Sequence, residues 1–300
     1  MKKVSAFLTY LGAILYPLIS DPHLYANDCS PPDYAESWET PWECGEDCQI
    51  VCPEVCPEVC DVKLAYHTKG HQLYLGTDVY YVDRTKVGGT KQTGVLGGIK
   101  VGYDYIKRYK FYYGIEGLYA GGKLTGKSSQ GNRLKSNYTD AYAEGRFGYT
   151  IQQKCGWRCA LIPFVGGGYY LEKNNYVRPS PIPIHSKISY AYFTGGFLSQ
   201  VSPLDNLDVQ LNFKVRYMWD PQNCVSNDPE ADSCKMLVKN QRLQYRVDLP
   251  FIYHYNSCVL LSFGPFYDYR HYGGQDSYPY NFIETTVRNY GATLKCIFNF

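Results

Sequence analysis

The 300-residue chain carries 30 basic and 28 acidic side chains, a formal net charge of +2, together with 32 tyrosines, 28 glycines and 12 cysteines. Beyond the amino terminus no run of eighteen apolar residues occurs, which argues against a helical membrane protein. Positive charge alternates along the chain instead of forming a stripe, so no nucleic-acid partner is expected.

Residues 1–26 read as a secretory signal peptide. Lys2 and Lys3 precede an apolar stretch from Val4 to Ile19, and a polar segment ends near Ala26, the expected cut site. Export would place the remainder in an oxidising compartment, where cysteines pair.

Residues 27–61 differ in composition from all that follows, with ten acidic residues and no lysine or arginine. Cys29 is followed by Cys44, Cys48, Cys52, Cys56 and Cys60 at four-residue spacing, and Pro53 and Pro57 rule out a continuous helix. Disulfides within this arm or to other envelope proteins are the favoured reading. A thiolate metal site is weakened by the absence of histidine, and a solvated acidic linker is the third reading. No metal or cofactor is expected. In composition the segment resembles the cysteine-rich amino-terminal part of chlamydial outer-membrane proteins, and that resemblance implies disulfide cross-links in the envelope.

From His71 onward, within residues 62–300, ten segments alternate apolar with polar or small side chains, as strands with one oily face do. They lie near Leu73–Val82, Gln92–Tyr105, Phe111–Tyr119, Ala141–Ile151, Pro163–Leu171, Lys187–Ser199, Leu207–Trp219, Arg242–Leu249, Val259–Asp268 and Tyr290–Phe300. In the sixth, Ile188, Tyr190, Tyr192 and Leu198 form the apolar face. Pro265, inside the ninth, predicts a bulge or an early strand end. Short connections alternate with longer ones, the longer lying near Arg84–Lys91, Gly122–Lys135, Lys173–His185, Asp220–Met236 and His271–Asn281.

The final segment, YGATLKCIFNF, sets Tyr290, Leu294, Cys296, Phe298 and Phe300 on one face. This resembles the terminal strand of Gram-negative outer-membrane barrels, and PFVGGGYY from Pro163 to Tyr170 resembles a strand of small OmpA-type barrels. The resemblance implies that Tyr290, Phe298 and Phe300 form the assembly signal read by the barrel-assembly machinery, and that the chain lies in the outer membrane. The expected fold is all-β, a transmembrane antiparallel up-and-down barrel of about ten strands, with eight or twelve as alternatives.

With the apolar face toward lipid, the charged residues turn into the lumen: Lys100, Glu116, Glu144, Arg146, Lys214, Arg216, Arg242, Arg246, Asp248, Asp268 and Lys295. A narrow barrel could hold them as a salt-bridged plug or as the lining of a slim passage for small solutes favouring anions. Residues 62–300 hold 28 basic and 17 acidic side chains, a net of +11, against −10 on the arm, so the arm could lie across one mouth. Cys155 with Cys159, and Cys224 with Cys234 in a long outer loop, are local disulfide candidates, whereas Cys258 and Cys296 are not expected to pair. Asp268, His271, Asp276 and His185 near the rim make an enzyme the least favoured class, since rim charges are usually solvated and no catalytic motif appears. Two functions therefore stand: porin-like passage of small solutes, or a structural envelope barrel.

Overall fold

Alternation builds the sheet, and its closure follows from the pairing of the last strand with the first. The computed structural model describes residues 70–107, 109–152, 159–204, 206–227, 235–239, 242–276 and 281–300. The predicted signal peptide, the arm and its six cysteines, Cys155 and Cys234 lie outside these residues.

The strands are β1 (His71–Lys86), β2 (Lys91–Tyr105), β3 (Phe111–Lys127), β4 (Arg133–Tyr149), β5 (Ile151–Gln152), β6 (Cys159–Tyr176), β7 (His185–Leu204), β8 (Leu207–Ser226), β9 (Lys235–Leu237), β10 (Gln244–Asp248), β11 (Phe251–His254), β12 (Val259–Tyr272) and β13 (Thr285–Asn299). Each pairs antiparallel with its neighbour, and β1 meets β13 over its whole length, from Gln72 opposite Asn299 to Lys86 opposite Thr285. β10 and β11 both lie between β8 and β12 and form one stave, β5 prolongs β4, and β9 is a short addition beside β8. Ten staves, those of β1, β2, β3, β4, β6, β7, β8, β10–β11, β12 and β13, thus close an up-and-down barrel without free edges.

Three details differ from the sequence reading. β12 passes Pro265 without a bulge or an end, pairing it with Ala292. The break falls on the adjacent stave instead, at Leu249–Pro250 between β10 and β11, where the Leu249 amide donates to the Pro265 carbonyl at 3.0 Å. The missing proline donor is thereby met by a gap in the neighbour. Next, the strands run past the expected loops: β3 reaches Lys127 and β8 reaches Ser226, so Cys224 sits in a strand, opposite Lys187. The hairpin turns at this end shrink to 87–90 and 128–132, where Gly88, Gly89 and Gly131 take positive φ.

The third difference is one of faces. Ile188, Tyr190, Tyr192 and Leu198, expected toward lipid, are buried in the lumen, while Lys187 and Phe193 point outward. In β7 the tyrosine hydroxyls have polar work inside, so the larger apolar count does not mark the outer face. A bulge inverts the parity of β8 further up: Ser189 and Ala191 of β7 oppose Gln222 and Trp219 of β8, with Asp220 at φ 46°, so that Asn223 and Val225 turn inward where Lys214, Arg216 and Met218 do so below.

The remaining strands keep the predicted sides. Ile99, Ile115, Tyr119, Val165 and Phe193 stand 59–66% exposed on the outer wall, and charged residues fill the interior. Toward the end with the short turns, Ile106, Tyr112, Ile162, Phe164 and Leu198 form one buried apolar cluster, and Tyr74, Ile252, Leu260 and Ile297 another. Toward the opposite end Val82, Leu96, Leu124, Val238, Phe282 and Val287 pack with a set of buried tyrosines.

Candidate functional site

The lumen concentrates nearly all the chemistry that the sequence singles out. Lys214 of β8 is completely buried; its Nζ lies 2.8 Å from Glu144 Oε1 of β4 and 3.4 Å from Glu116 Oε1 of β3. Arg216, two residues on and so on the same face, puts Nε 3.6 Å from Glu144 Oε2 and Nη1 3.2 Å from Asp268 Oδ1. Arg146 reaches Glu144 at 3.9 Å and Asp104 at 3.4 Å. Lys295 stands 4.0 Å from Glu116. The predicted partnership of Glu116 and Glu144 with the lumen cations is present as a network across the barrel.

Two further knots continue it. Asp78 accepts from Thr293 and pairs with Lys100 at 3.0 Å and Arg246 at 3.3 Å, while Arg246 holds Asp248 at 2.7 Å and stacks on the Phe266 ring. Arg270 binds Asp268 at 2.7 Å and Asp140 at 2.8 Å and contacts the Tyr170 hydroxyl. Higher up, Arg84 pairs with Glu172 at 3.4 Å beside a hydrogen-bonded group of Gln92, Ser136, Asn174 and Tyr176.

Tyrosines supply the rest of the shell. Tyr74 and Tyr142 donate to Glu116 at 3.0 and 2.7 Å, and Tyr192 donates to Glu144 at 3.0 Å. Tyr80 donates to Asp140, Tyr112 to Asp104 and Tyr272 to Glu172. Inward glycines make room for these rings: Tyr74 lies across Gly102 and Tyr192 across Gly168. A carboxylate given cations and phenol donors together is satisfied without water.

Of the residues expected in the lumen, Arg242 is not there. It precedes β10, is exposed, and belongs to the loop end. The strand starts two residues later than the alternation implies, which leaves Arg242 above the barrel wall. Asp78, Arg84, Asp140, Glu172 and Arg270 were missed. Asp140, Glu172 and Arg270 share parity with Tyr142, Tyr170 and Asp268, one step beyond the segments read as strands; Asp78 sits in the first segment, the least regular of the ten, and Arg84 at the start of the connection expected after it. The rim acids do not converge on a histidine: Asp268 is taken up by two arginines, and His271 lies 2.8 Å from Glu284. The hydrogen bond from His271 is the main influence holding the Glu284 carboxyl below its ordinary range. Among the described residues no group of three or more potential metal ligands is assembled.

No family model and no curated protein matches the chain. Among solved structures, the outer-membrane protease OmpT from Escherichia coli aligns over 78% of this chain and 97% of its own, at 8% identity and a TM-score of 0.46. The translocator domain of the autotransporter NalP from Neisseria meningitidis covers 77% and 88%, at 9% identity and a TM-score of 0.45. The COG4313 outer membrane channel from Pseudomonas putida F1 covers 77% and 96%, at 8% identity and 0.37. Likenesses this distant carry nothing about a ligand or a reaction, and the barrel is established by its own closed ring of pairings.

Proposed function

We propose that this chain is a structural barrel of the outer membrane whose lumen is sealed, with no continuous path for solutes. Membrane residence is supported by the outer wall. Left in water, Ile99, Ile115 and Val165 with exposed neighbours such as Val101, Tyr119, Phe147 and Phe193 would form a large apolar surface of the kind soluble monomers avoid. Aromatic rings edge that wall near the short turns, where Tyr105 stacks on Tyr113 and Phe111 on Phe147. A charge at the bilayer midplane costs about 2–4 kcal/mol, and the strands place their buried charges on the lumen side.

The observation that carries the sealed reading is the fully buried Lys214 between Glu116 and Glu144, in a network that neutralises its own charges. A water-filled passage would leave such side chains solvated and exposed. Apolar clusters toward both ends reinforce the closure. Disulfide cross-linking through the cysteine arm is the envelope role this reading assigns, with neighbouring envelope proteins as partners. The test is planar-bilayer conductance of the refolded chain before and after thiol reduction, alongside heat-modifiable migration to certify folding. A folded protein that stays silent under both conditions supports the sealed barrel. Steady openings would overturn it and restore the solute-passage reading, and openings only after reduction would make the arm a gate.

A further inference from the structure

We infer that the outer wall of β2, β3, β4, β6 and β7, above the apolar belt, binds the phosphorylated headgroup of a lipid in the outer leaflet. The inference rests on the membrane reading above. From Lys91 to Leu204 the chain contains only five acidic residues, Asp104, Glu116, Asp140, Glu144 and Glu172. All five are engaged on the lumen side, in the bonds already described. The outer wall of these strands therefore carries no carboxylate, yet at the loop end it is densely cationic.

The register makes the arrangement specific. Lys91 pairs across to Lys127, and Lys127 across to Arg133, so three cations stand in one row on three adjacent strands. With strands about 4.8 Å apart, the row spans roughly 10 Å. One row of the neighbouring staves sets Lys173 directly opposite Lys187. All five side chains are exposed. Like charges placed directly opposite each other across strands are destabilising. Among the described residues, Lys91 alone of these five has a carboxylate neighbour, Asp83 of β1 at 3.1 Å. Such a row is stable when an external polyanion bridges it, and phosphate oxygens suit both lysine and arginine.

Two features favour a lipid over a free anion. Along the outer wall the paired row of Ile99, Tyr119 and Ala141 is followed by the row of Gly97, Gly121, Thr139 and Lys173, then by that of Lys123, Asn137 and Asn175, and Lys91, Lys127 and Arg133 stand two rows further on. An amphiphile lying along the wall would thus meet hydrocarbon contacts and cations in the right order. Between the two sets, Lys123, Asn137 and Asn175 form a polar row whose amides can hydrogen-bond a headgroup's hydroxyls.

The test uses the refolded full chain in a neutral detergent, titrated with a diphosphorylated lipid A while its thermal unfolding is followed. The expected result is a rise in transition temperature that salt screens out and that the dephosphorylated lipid does not produce. The variant Lys91→Gln/Lys127→Gln/Arg133→Gln, on exposed positions, should fold and show half-saturation weakened roughly a hundredfold. Lys110→Gln, at the short-turn end, should leave the titration unchanged. An equal shift with the dephosphorylated lipid, an unaltered triple variant, or no shift of a folded barrel would overturn the inference alone. The same rise with inorganic pyrophosphate would overturn the lipid as the source. Failure to fold in any detergent would instead bring down the membrane reading, and this inference with it.

Discussion

Phe300 stacks on His71, with ring centroids 5.6 Å apart and planes 14° apart, and its amide donates to the His71 carbonyl at 3.1 Å. The last residue thus closes on the first residue of β1, at the seam where a linear chain becomes a ring. The His71 imidazole also reaches the Tyr103 hydroxyl at 2.6 Å and packs near Tyr105, which ties the seam to the aromatic edge of β2.

Replacing Phe300 by alanine should therefore slow closure and lower the refolded fraction, with an equilibrium loss of about 0.5–1.5 kcal/mol from the ring pair. Phe300→Tyr should behave as the parent. Heat-modifiable migration after dilution into detergent reads the folded fraction, and urea midpoints read the stability. An alanine variant that refolds like the parent would show that the seam does not need the ring.

The Lys214–Glu144 pair lends itself to a double-mutant cycle. Lys214→Met leaves Glu144 with a weakened cation shell, and Glu144→Gln leaves Lys214 leaning on Glu116. Each single change should cost about 3–5 kcal/mol, because a buried charge loses its partner. The double variant should recover a large part of that loss, since both charges leave together. Strictly additive losses in urea unfolding would mean that the two side chains are not coupled.

How much of this was legible beforehand divides along physical lines. The staves were readable because lipid and lumen impose opposite polarities on alternate residues, and β8 with Leu207 to Trp219 shows that alternation with few interruptions. The seventh and third segments placed Lys214, Arg216 and Glu116 on the lumen side for that reason. β7 misled because a lumen tyrosine looks apolar by composition while its hydroxyl works as a donor, as Tyr192 does toward Glu144. Strand ends misled because beyond the apolar belt both faces are polar, so Lys123 and Lys127 read as loop although they continue the ladder of β3. No local pattern could reveal that Arg270 meets Asp140 across 130 residues of sequence.

The His271–Glu284 contact at the loop end gives a pH signature. The Glu284 carboxyl is held below its ordinary value, chiefly by the hydrogen bond from His271. A depressed acid stabilises the folded state above its unfolded value, near 4.3, and loses that contribution as pH falls through the lower folded value. In a side-chain carboxyl titration by NMR, Glu284 should therefore have its midpoint below the ordinary glutamate range in the parent. In His271→Ala the midpoint should return toward the ordinary range. An unchanged midpoint in that variant would assign the shift to another source.

Glycines on the two faces of the wall should answer differently to the same methyl group. At Gly168, facing inward, an added Cβ would come within 2.6 Å of the Tyr192 ring and hydroxyl, and it would also press on the Ala143 carbonyl. The ring cannot retreat without giving up its bond to Glu144, so Gly168→Ala should destabilise by about 1–3 kcal/mol or block folding. At Gly145, facing outward, nothing lies within 4 Å of the added atom. Gly145→Ala should fold normally and gain a few tenths of a kcal/mol, up to about 1, through the restricted unfolded chain. Urea unfolding of both variants decides the matter, because the two positions share one strand sandwich: Gly145 lies on β4 and pairs with Gly167, the neighbour of Gly168 on β6. Equal losses at both sites would mean that the wall resists any added bulk. A loss confined to Gly168 would show that its hydrogen atom leaves room for the Ala143 carbonyl and for Tyr192, which lies across the strand and reaches the carboxylate that Lys214 also holds.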